Sequence, residues 1–166
     1  MALEISGSLD AQGLRLGIIV AQFNEALTSR LLRGAREAAA RHGVKEDALA
    51  IVHVPGSFEL PQAAERMARS GAWDALVALG CVIRGETAHF DFVAAEAARG
   101  IAQVARETGV PVAFGVLTTN NTDQALARSG GAQGNRGFDA VEAAIKMASV
   151  HRQLQTVPSP SGRGLG

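Results

Sequence analysis

The sequence contains no tyrosine, one cysteine and only two lysines among its 166 residues. Because Cys81 has no second cysteine to pair with, an internal disulfide and a cysteine-built metal cage are excluded, and a reducing compartment is favoured. A tyrosine acid is excluded too, and Lys45 and Lys146 both fall in helix-surface patterns, which argues against a Schiff-base lysine. We therefore expect a cytoplasmic protein without a cysteine-ligated metal.

Long apolar runs and a net charge are also missing. No stretch approaches about 18 uninterrupted apolar residues, and residues 1–10 lack the basic and apolar regions of a signal peptide. The 16 Lys and Arg residues balance 16 Asp and Glu residues, so no basic excess is available to bind nucleic acid. We expect neither a membrane span nor nucleic-acid binding.

The apolar content is high by comparison. Hydrophobic residues make up 47% of the chain and charged residues only 19%. A free monomer of this composition would present a poorly charged surface to water. The composition therefore predicts a homo-oligomer.

Short apolar runs alternate with amphipathic segments along the chain. Runs rich in β-branched residues predict four buried strands, at 14–21, 48–54, 75–82 and 112–117. Apolar residues at three-to-four spacing predict helices between and after them, ending at residue 43 and spanning 60–69, 90–108, 123–129 and 138–151. Asn24 is placed to cap the first helix, and Gly43, Gly71 and Gly109 are placed to end helices in a left-handed conformation.

This alternation predicts an α/β fold of three layers. Right-handed crossovers give a four-stranded parallel sheet with helices on both faces and flavodoxin-like topology. We expect a single domain at 14–151, an N-terminal arm or edge strand at 1–13, and a disordered tail at 152–166 that is rich in Pro, Gly and Ser.

Loops that follow parallel strands emerge at the same, carboxyl edge of the sheet, where ligands bind. The topology therefore brings together four separated motifs: AQFN (21–24), PGSFELP (55–61), GCVIRGETAHFD (80–91) and LTTNN (117–121). We expect a functional site at this edge.

His89 is the one histidine predicted at that edge. A histidine titrates near neutral pH and is suited to moving protons, and Arg84, Glu86 and Asp91 are close enough in sequence to tune it. The alternative is a histidine at a helix start that only hydrogen-bonds to backbone.

The segment Gly85-Glu86-Thr87 precedes a predicted helix. Its free backbone N–H groups and the Thr87 hydroxyl favour an oxyanion or phosphate as ligand. The alternative is an ordinary turn with Thr87 as the helix cap. The chain has neither GxxxxGK[ST] nor GxGxxG after a strand, which argues against a nucleoside triphosphate or a dinucleotide.

Two phenylalanines, Phe23 and Phe58, each follow a strand end within a polar loop. They favour stacking with a planar ligand, or else they plug the junction between helix and sheet.

Glu59 is suited to accept hydrogen bonds from ligand hydroxyls, or it serves the positive start of the second helix. Arg128 and Arg136 flank the glycine-rich break at 130–137, and by themselves they are typical of solvated charges.

In order along the chain, QFN, VPGSFELP, LGCVIRGETAHFDFV, GVLTTNN and GNRGFDA resemble the lumazine synthase family, from about residue 5 to 151. The resemblance implies condensation of 5-amino-6-(D-ribitylamino)uracil with 3,4-dihydroxy-2-butanone 4-phosphate to 6,7-dimethyl-8-ribityllumazine, the penultimate step of riboflavin biosynthesis. It implies an enzyme that needs neither cofactor nor metal.

The same resemblance implies roles for individual residues. His89 moves protons, and Phe23 stacks on the pyrimidine. The phosphate is held by Gly85, Glu86, Thr87 and Arg128. The rest of the substrate pocket is formed by Asn24, Gly56, Ser57, Phe58, Glu59, Cys81, Val82, Ile83 and Phe114.

Family members assemble as pentamers, decamers or icosahedral 60-mers, and a second subunit closes each pocket. The resemblance therefore implies that Phe114 and Arg128 reach the pocket from a neighbouring copy. Two other functions are weighed against the enzyme: a non-catalytic flavin- or pterin-binding module, which would have no use for a phosphate site, and a structural shell protein with a vestigial site.

Overall fold

A four-stranded parallel sheet forms the centre of the computed structural model, which describes residues 1–158. The strands lie in the order β2-β1-β3-β4 and every neighbouring pair is parallel, so the predicted fold class is confirmed. Their bounds are β1 Leu16–Ala21, β2 Leu49–Val54, β3 Ala75–Ile83 and β4 Val112–Thr119.

Five α-helices within residues 1–158 cover both faces of the sheet. They are α1 Glu25–Arg41, α2 Leu60–Arg69, α3 His89–Thr108, α4 Thr122–Arg128 and α5 Arg136–Gln155. Short 3-10 turns at Glu46–Ala48 and Ser57–Glu59 lead into β2 and α2, and a small hairpin of β5 Ser129–Gly131 and β6 Gly134–Asn135 joins α4 to α5.

Two apolar cores lie on opposite faces of the sheet. Side chains alternate along β1, so Ile18 packs with α1, α4 and α5 while Ile19 packs with α2 and α3. All six residues of β1 are buried, which is why this strand reads as an unbroken apolar run in the sequence.

The helix ends were compared with their prediction at three glycines and at Asn24, and the glycines behave as predicted. Gly43, Gly71 and Gly109 have φ values of 100°, 73° and 73°, as predicted for residues that end helices. Asn24 is the N-cap residue of α1, as predicted, but its side chain makes no capping hydrogen bond. Its Nδ2 donates instead to the carbonyl oxygen of Cys81, at 2.9 Å.

Residues 1–13 form an arm without a strand, and the arm lies along α5. The Ser8 N–H donates to Ser149 Oγ at 3.1 Å, and Gln153 Nε2 donates to the carbonyl oxygen of Ser6 at 2.7 Å.

α5 continues to Gln155, one turn past the predicted end at residue 151, so the tail does not begin at 152 as expected. The predicted disorder at 159–166 falls outside the described residues.

No helix within residues 1–158 combines the length and the apolar character that crossing a bilayer requires.

Candidate active site

A groove of about 700 Å³ opens at the carboxyl edge of the sheet, between the loops after β1, β2 and β3 and the first turns of α3. Eleven of the residues predicted to form the site line this groove: Phe23, Gly56, Ser57, Phe58, Glu59, Cys81, Val82, Ile83, Gly85, Thr87 and His89. Asn24, Glu86, Phe114 and Arg128 lie outside it.

Phe23 and Phe58 present their rings at the groove. Phe23 is 72% exposed and Phe58 is 60% exposed, so the alternative that they plug the junction between helix and sheet is wrong. The backbone holds Phe23 in place, because its N–H donates to the carbonyl oxygen of Pro55 at 3.0 Å, one step beyond the end of β2. A flat ligand would remove these rings from water.

Glu59 brings a carboxylate with a free oxygen to the groove. Its Oε2 is buried and has no hydrogen-bond partner among residues 1–158, and it lies 3.6 Å from where a Cβ on Gly56 would stand. An unsatisfied buried acceptor costs about 1–3 kcal/mol, more if charged. A ligand hydroxyl that donates here would recover that cost.

β3 extends beyond its neighbour and exposes backbone to the groove. The pairing of β3 with β1 ends at Leu79, whereas β3 continues to Ile83. On the side of β1, which ends at Ala21, the backbone of residues 81–83 therefore has no strand beside it in the described chain. Asn24 occupies one acceptor, the carbonyl oxygen of Cys81, and Val82 and Ile83 border the groove.

Cys81 lies within this extension of β3, and its thiol is buried. Burial raises its pKa to about 11, because desolvation disfavours the thiolate. The thiol is therefore neutral at pH 7 and unsuited to nucleophilic attack.

Gly80 allows the loop after β2 to approach β3. A Cβ at this position would collide with Ser57 Oγ, and Ser57 is itself buried. The close approach places Ser57 and the preceding Gly56 against this extension of β3.

The segment at 85–87 is open to solvent beside the start of α3. A Cβ on Gly85 would meet no atom of the described residues within 4 Å, and the Thr87 hydroxyl accepts from the His89 N–H at a long 3.4 Å. The N-cap position of α3 is Ala88, so the alternative in which Thr87 caps the helix is wrong. At the start of this 20-residue helix, the N–H groups of His89 and Asp91 already donate within the chain, to Thr87 Oγ1 and to the carbonyl oxygen of Ala88. The N–H groups available to a ligand are therefore those of the segment that precedes the helix.

His89 is the first residue of α3, and its exposed side chain lines the groove. Phe92 and Val93 stand three and four residues later and line the groove as well, together with Phe90. None of these three residues is predicted from the sequence as part of the site. The three-to-four spacing from His89 is the signal that could have identified Phe92 and Val93.

Phe114 and Arg128 lie in a second groove of about 340 Å³ beside the edge strand β4. Arg128 is anchored there, because its Nη1 donates to the carbonyl oxygen of Gln124 at 3.1 Å. Arg136, which is predicted from the sequence to be a solvated charge, lines the same groove. Within one chain the Gly85–Thr87 segment and this arginine pair therefore lie at separate grooves.

No cluster of three or more His, Cys, Asp or Glu side chains within residues 1–158 is arranged to hold a metal ion.

Comparison with known proteins finds a matching family model and many similar curated proteins. The family model described as 6,7-dimethyl-8-ribityllumazine synthase matches residues 13–152. A 6,7-dimethyl-8-ribityllumazine synthase from Chlorobium chlorochromatii (strain CaD3) is 48% identical over 151 residues, which cover 91% of this chain and 97% of that protein.

Proposed function

The chain belongs to the 6,7-dimethyl-8-ribityllumazine synthase family, and we propose that the groove at the carboxyl edge of the sheet is its active site. The enzyme condenses 5-amino-6-(D-ribitylamino)uracil with 3,4-dihydroxy-2-butanone 4-phosphate and releases 6,7-dimethyl-8-ribityllumazine, phosphate and water. The observation that carries the site assignment is the presence, in one groove, of exposed aromatic rings, a free carboxylate oxygen, open backbone amides and His89.

The pyrimidine substrate fits the wall formed by Phe23 and β3. The ring of Phe23 stacks on the flat heterocycle, and the backbone of Val82 and Ile83 hydrogen-bonds to the polar edge of the uracil. Glu59 Oε2 accepts from a hydroxyl of the ribityl chain. Glu59 Oε2 has no partner within residues 1–158, and the pairing of β1 with β3 ends before Ile83, whose N–H and C=O point away from β4.

The second substrate places its phosphate at the Gly85–Thr87 segment. Backbone N–H groups of this segment and the Thr87 hydroxyl are the donors that an oxyanion needs. The substrate amine and ketone form an imine with loss of water, so the protein needs no lysine for this step.

His89 moves the protons. It accepts a proton from the carbon next to the imine as the phosphate leaves from the following carbon, and it returns a proton in later steps. Positioning two bound reactants supplies about 7–11 kcal/mol of the barrier, and an acid–base histidine adds about 10²–10⁴-fold.

A second copy of the chain completes the site in this proposal. Phe114 and Arg128 lie in their own groove beside an edge strand, where a neighbouring subunit would meet them. The planar guanidinium of Arg128 is suited to pair with the phosphate. We propose a pentamer as the common unit, with larger assemblies of pentamers, including an icosahedral shell, built from it.

A cytoplasmic location is part of the same proposal. It is supported by the single cysteine, which is free and buried, as expected for a protein of a reducing compartment.

The direct test is to mix the purified protein with both substrates and to follow the absorbance and fluorescence of the lumazine. We expect product only when both substrates and the protein are present. Each substrate alone with the protein is the control. Absence of product from folded, assembled protein would contradict the proposal and would favour a binding or structural role.

A further inference from the structure

Arg84 is the first residue after β3, and its side chain connects three elements. The guanidinium carbon lies 4.5 Å from the ring centroid of Phe90, and Nη1 lies 3.5 Å from Asp91 Oδ1. Nε donates to Asn120 Oδ1 at 3.2 Å. The side chain therefore joins the end of β3 to the first turn of α3 and to the loop after β4.

The loop partner of Arg84 is itself fixed. The backbone N–H of Asn120 donates to Gln124 Oε1 in α4 at 2.8 Å, and the backbone N–H of Arg84 donates to the carbonyl oxygen of Thr119 at 2.8 Å. The backbone of Arg84 and its side-chain partner Asn120 are therefore both held in place by hydrogen bonds.

The first turn of α3 has few other supports. Residues 84–89 are all exposed, and the N-cap residue of the helix, Ala88, has no side-chain acceptor. The bond from the His89 N–H to Thr87 Oγ1 is long, at 3.4 Å. Phe90 packs partly against the core, and the guanidinium of Arg84 lies over its ring.

We propose that Arg84 is a positioning residue that holds the first turn of α3, and with it the imidazole of His89, in register with the groove. The inference rests on the proposed role of His89. Arg84 acts through Phe90 and Asp91, the two residues that follow His89, and not through contact with substrate. An arginine is required because a planar guanidinium can stack on a ring and pair with oxygens in its own plane.

The test compares Arg84→Met, Arg84→Lys and wild type by steady-state kinetics. For Arg84→Met we expect kcat to fall about tenfold, within the roughly 10²-fold that a misplacement of about 1 Å can cost, with KM for the pyrimidine nearly unchanged. Arg84→Lys keeps the charge without the planar stack, so its kcat should lie between the two. Wild-type kcat in Arg84→Met would overturn the proposal.

Arg69→Met is the matched control. Arg69 also pairs with a carboxylate of α3, Glu107 at 3.8 Å, but at the far end of the helix, and it is 55% exposed. We expect wild-type kcat in this variant. An equal loss of kcat in Arg69→Met and Arg84→Met would overturn a local positioning role.

The double variant Arg84→Met/His89→Ala separates this inference from the proposed function. If Arg84 acts by placing His89, the Arg84 change should reduce the turnover of His89→Ala by less than about twofold. A full additional loss would overturn the inference and leave the role of His89 intact. Wild-type turnover in His89→Ala alone would overturn the role of His89, and the Arg84 inference would fall with it.

Discussion

Asn24 combines an unusual backbone conformation with a side-chain bond to the site. Its φ of 60° is the only positive value of a non-glycine residue within residues 1–158. Asparagine tolerates this left-handed region better than most residues. The turn directs Nδ2 toward the carbonyl oxygen of Cys81 and away from the first N–H groups of α1. The residue type and its position predict a side-chain cap, but the direction of a side chain is not visible in a sequence.

His89→Ala tests the assigned proton-transfer residue. We expect kcat to fall about 10²-fold, within the range for general acid–base catalysis, while binding of the pyrimidine is largely spared because Phe23 and Glu59 remain. Steady-state kinetics and titration with the pyrimidine alone measure the two effects.

The control for this variant is His151→Ala. His151 lies near Gly109, at the opposite edge of the sheet, so turnover should stay at the wild-type level. Turnover in His89→Ala that matches this control would remove His89 from the mechanism.

The buried Cys81 thiol should make the folded protein less stable at alkaline pH. Its folded-state pKa of about 11 lies above the ordinary value of 9.0, so the neutral thiol favours the folded state. The contribution is complete below about pH 9, because both states are then protonated, and it is lost as the pH rises toward 11 and the unfolded thiol ionises. A shift of this size corresponds to about 2–3 kcal/mol.

Urea unfolding across this pH range, in wild type and Cys81→Ala, measures the effect. With no tyrosine and two lysines in the chain, few other groups ionise there. The wild-type free energy of unfolding should fall more steeply with pH than that of the variant, and parallel curves would contradict the assignment.

At the scale of elements, the strand positions could be predicted and some ends could not. β1 and β3 are buried on both faces, which produces apolar runs that only a central parallel strand explains. The last turn of α5 could not be predicted, because residues 152–155 are polar or exposed and have no apolar period. The sequence predicts only a glycine-rich break at the hairpin of β5 and β6, because the two short strands are positioned by contacts with α1 that a sequence does not show.

Asn135 makes those contacts. Its Oδ1 accepts from the N–H groups of Gly137 and Phe138, at 2.8 and 3.1 Å, and its Nδ2 donates to the carbonyl oxygen of Arg30 in α1 at 3.0 Å. It therefore caps α5 and ties that helix to α1 through one side chain.

We expect Asn135→Ala to lower the free energy of unfolding by about 1–2 kcal/mol, because a lost cap alone costs roughly 0.5–2 kcal/mol. Asn121→Ala is the matched control, since Asn121 caps the shorter α4 through a single bond from the Gln124 N–H at 2.9 Å; its effect should be smaller. Urea unfolding at a fixed protein concentration measures both, and an equal effect would show that the tie to α1 contributes nothing.

At the scale of the whole molecule, the sequence predicts the part of the site that lies within one chain. Parallel topology alone places the loops after β1, β2 and β3 together. Phe114 and Arg128 lie in a separate groove because β4 is an edge strand of the sheet. Their expected role in the site follows only from the family resemblance.

Mixing two impaired variants, assayed at a low concentration of the butanone phosphate, tests whether neighbouring copies share a site. His89→Ala and Arg128→Ala should each lose activity, the second mainly through a higher KM for the butanone phosphate. If they are unfolded and refolded together into a ring, about one quarter of the interfaces should pair an intact His89 with an intact Arg128. Activity should return toward that fraction.

The control is the two variants refolded separately and then combined. Failure of co-refolded protein to exceed this control, with mixed assemblies demonstrated, would show that the site does not span two copies.

The extension of β3 beyond β1 has a consequence for how specificity can evolve. In the proposed site, the uracil edge is read by peptide groups at 82 and 83, and peptide groups are the same whatever side chain is attached. Random libraries at these two positions should therefore keep pyrimidine selectivity as long as the apolar wall is preserved. Libraries at Phe23 and Glu59, where side chains make the contact, are where altered substrate preference should emerge.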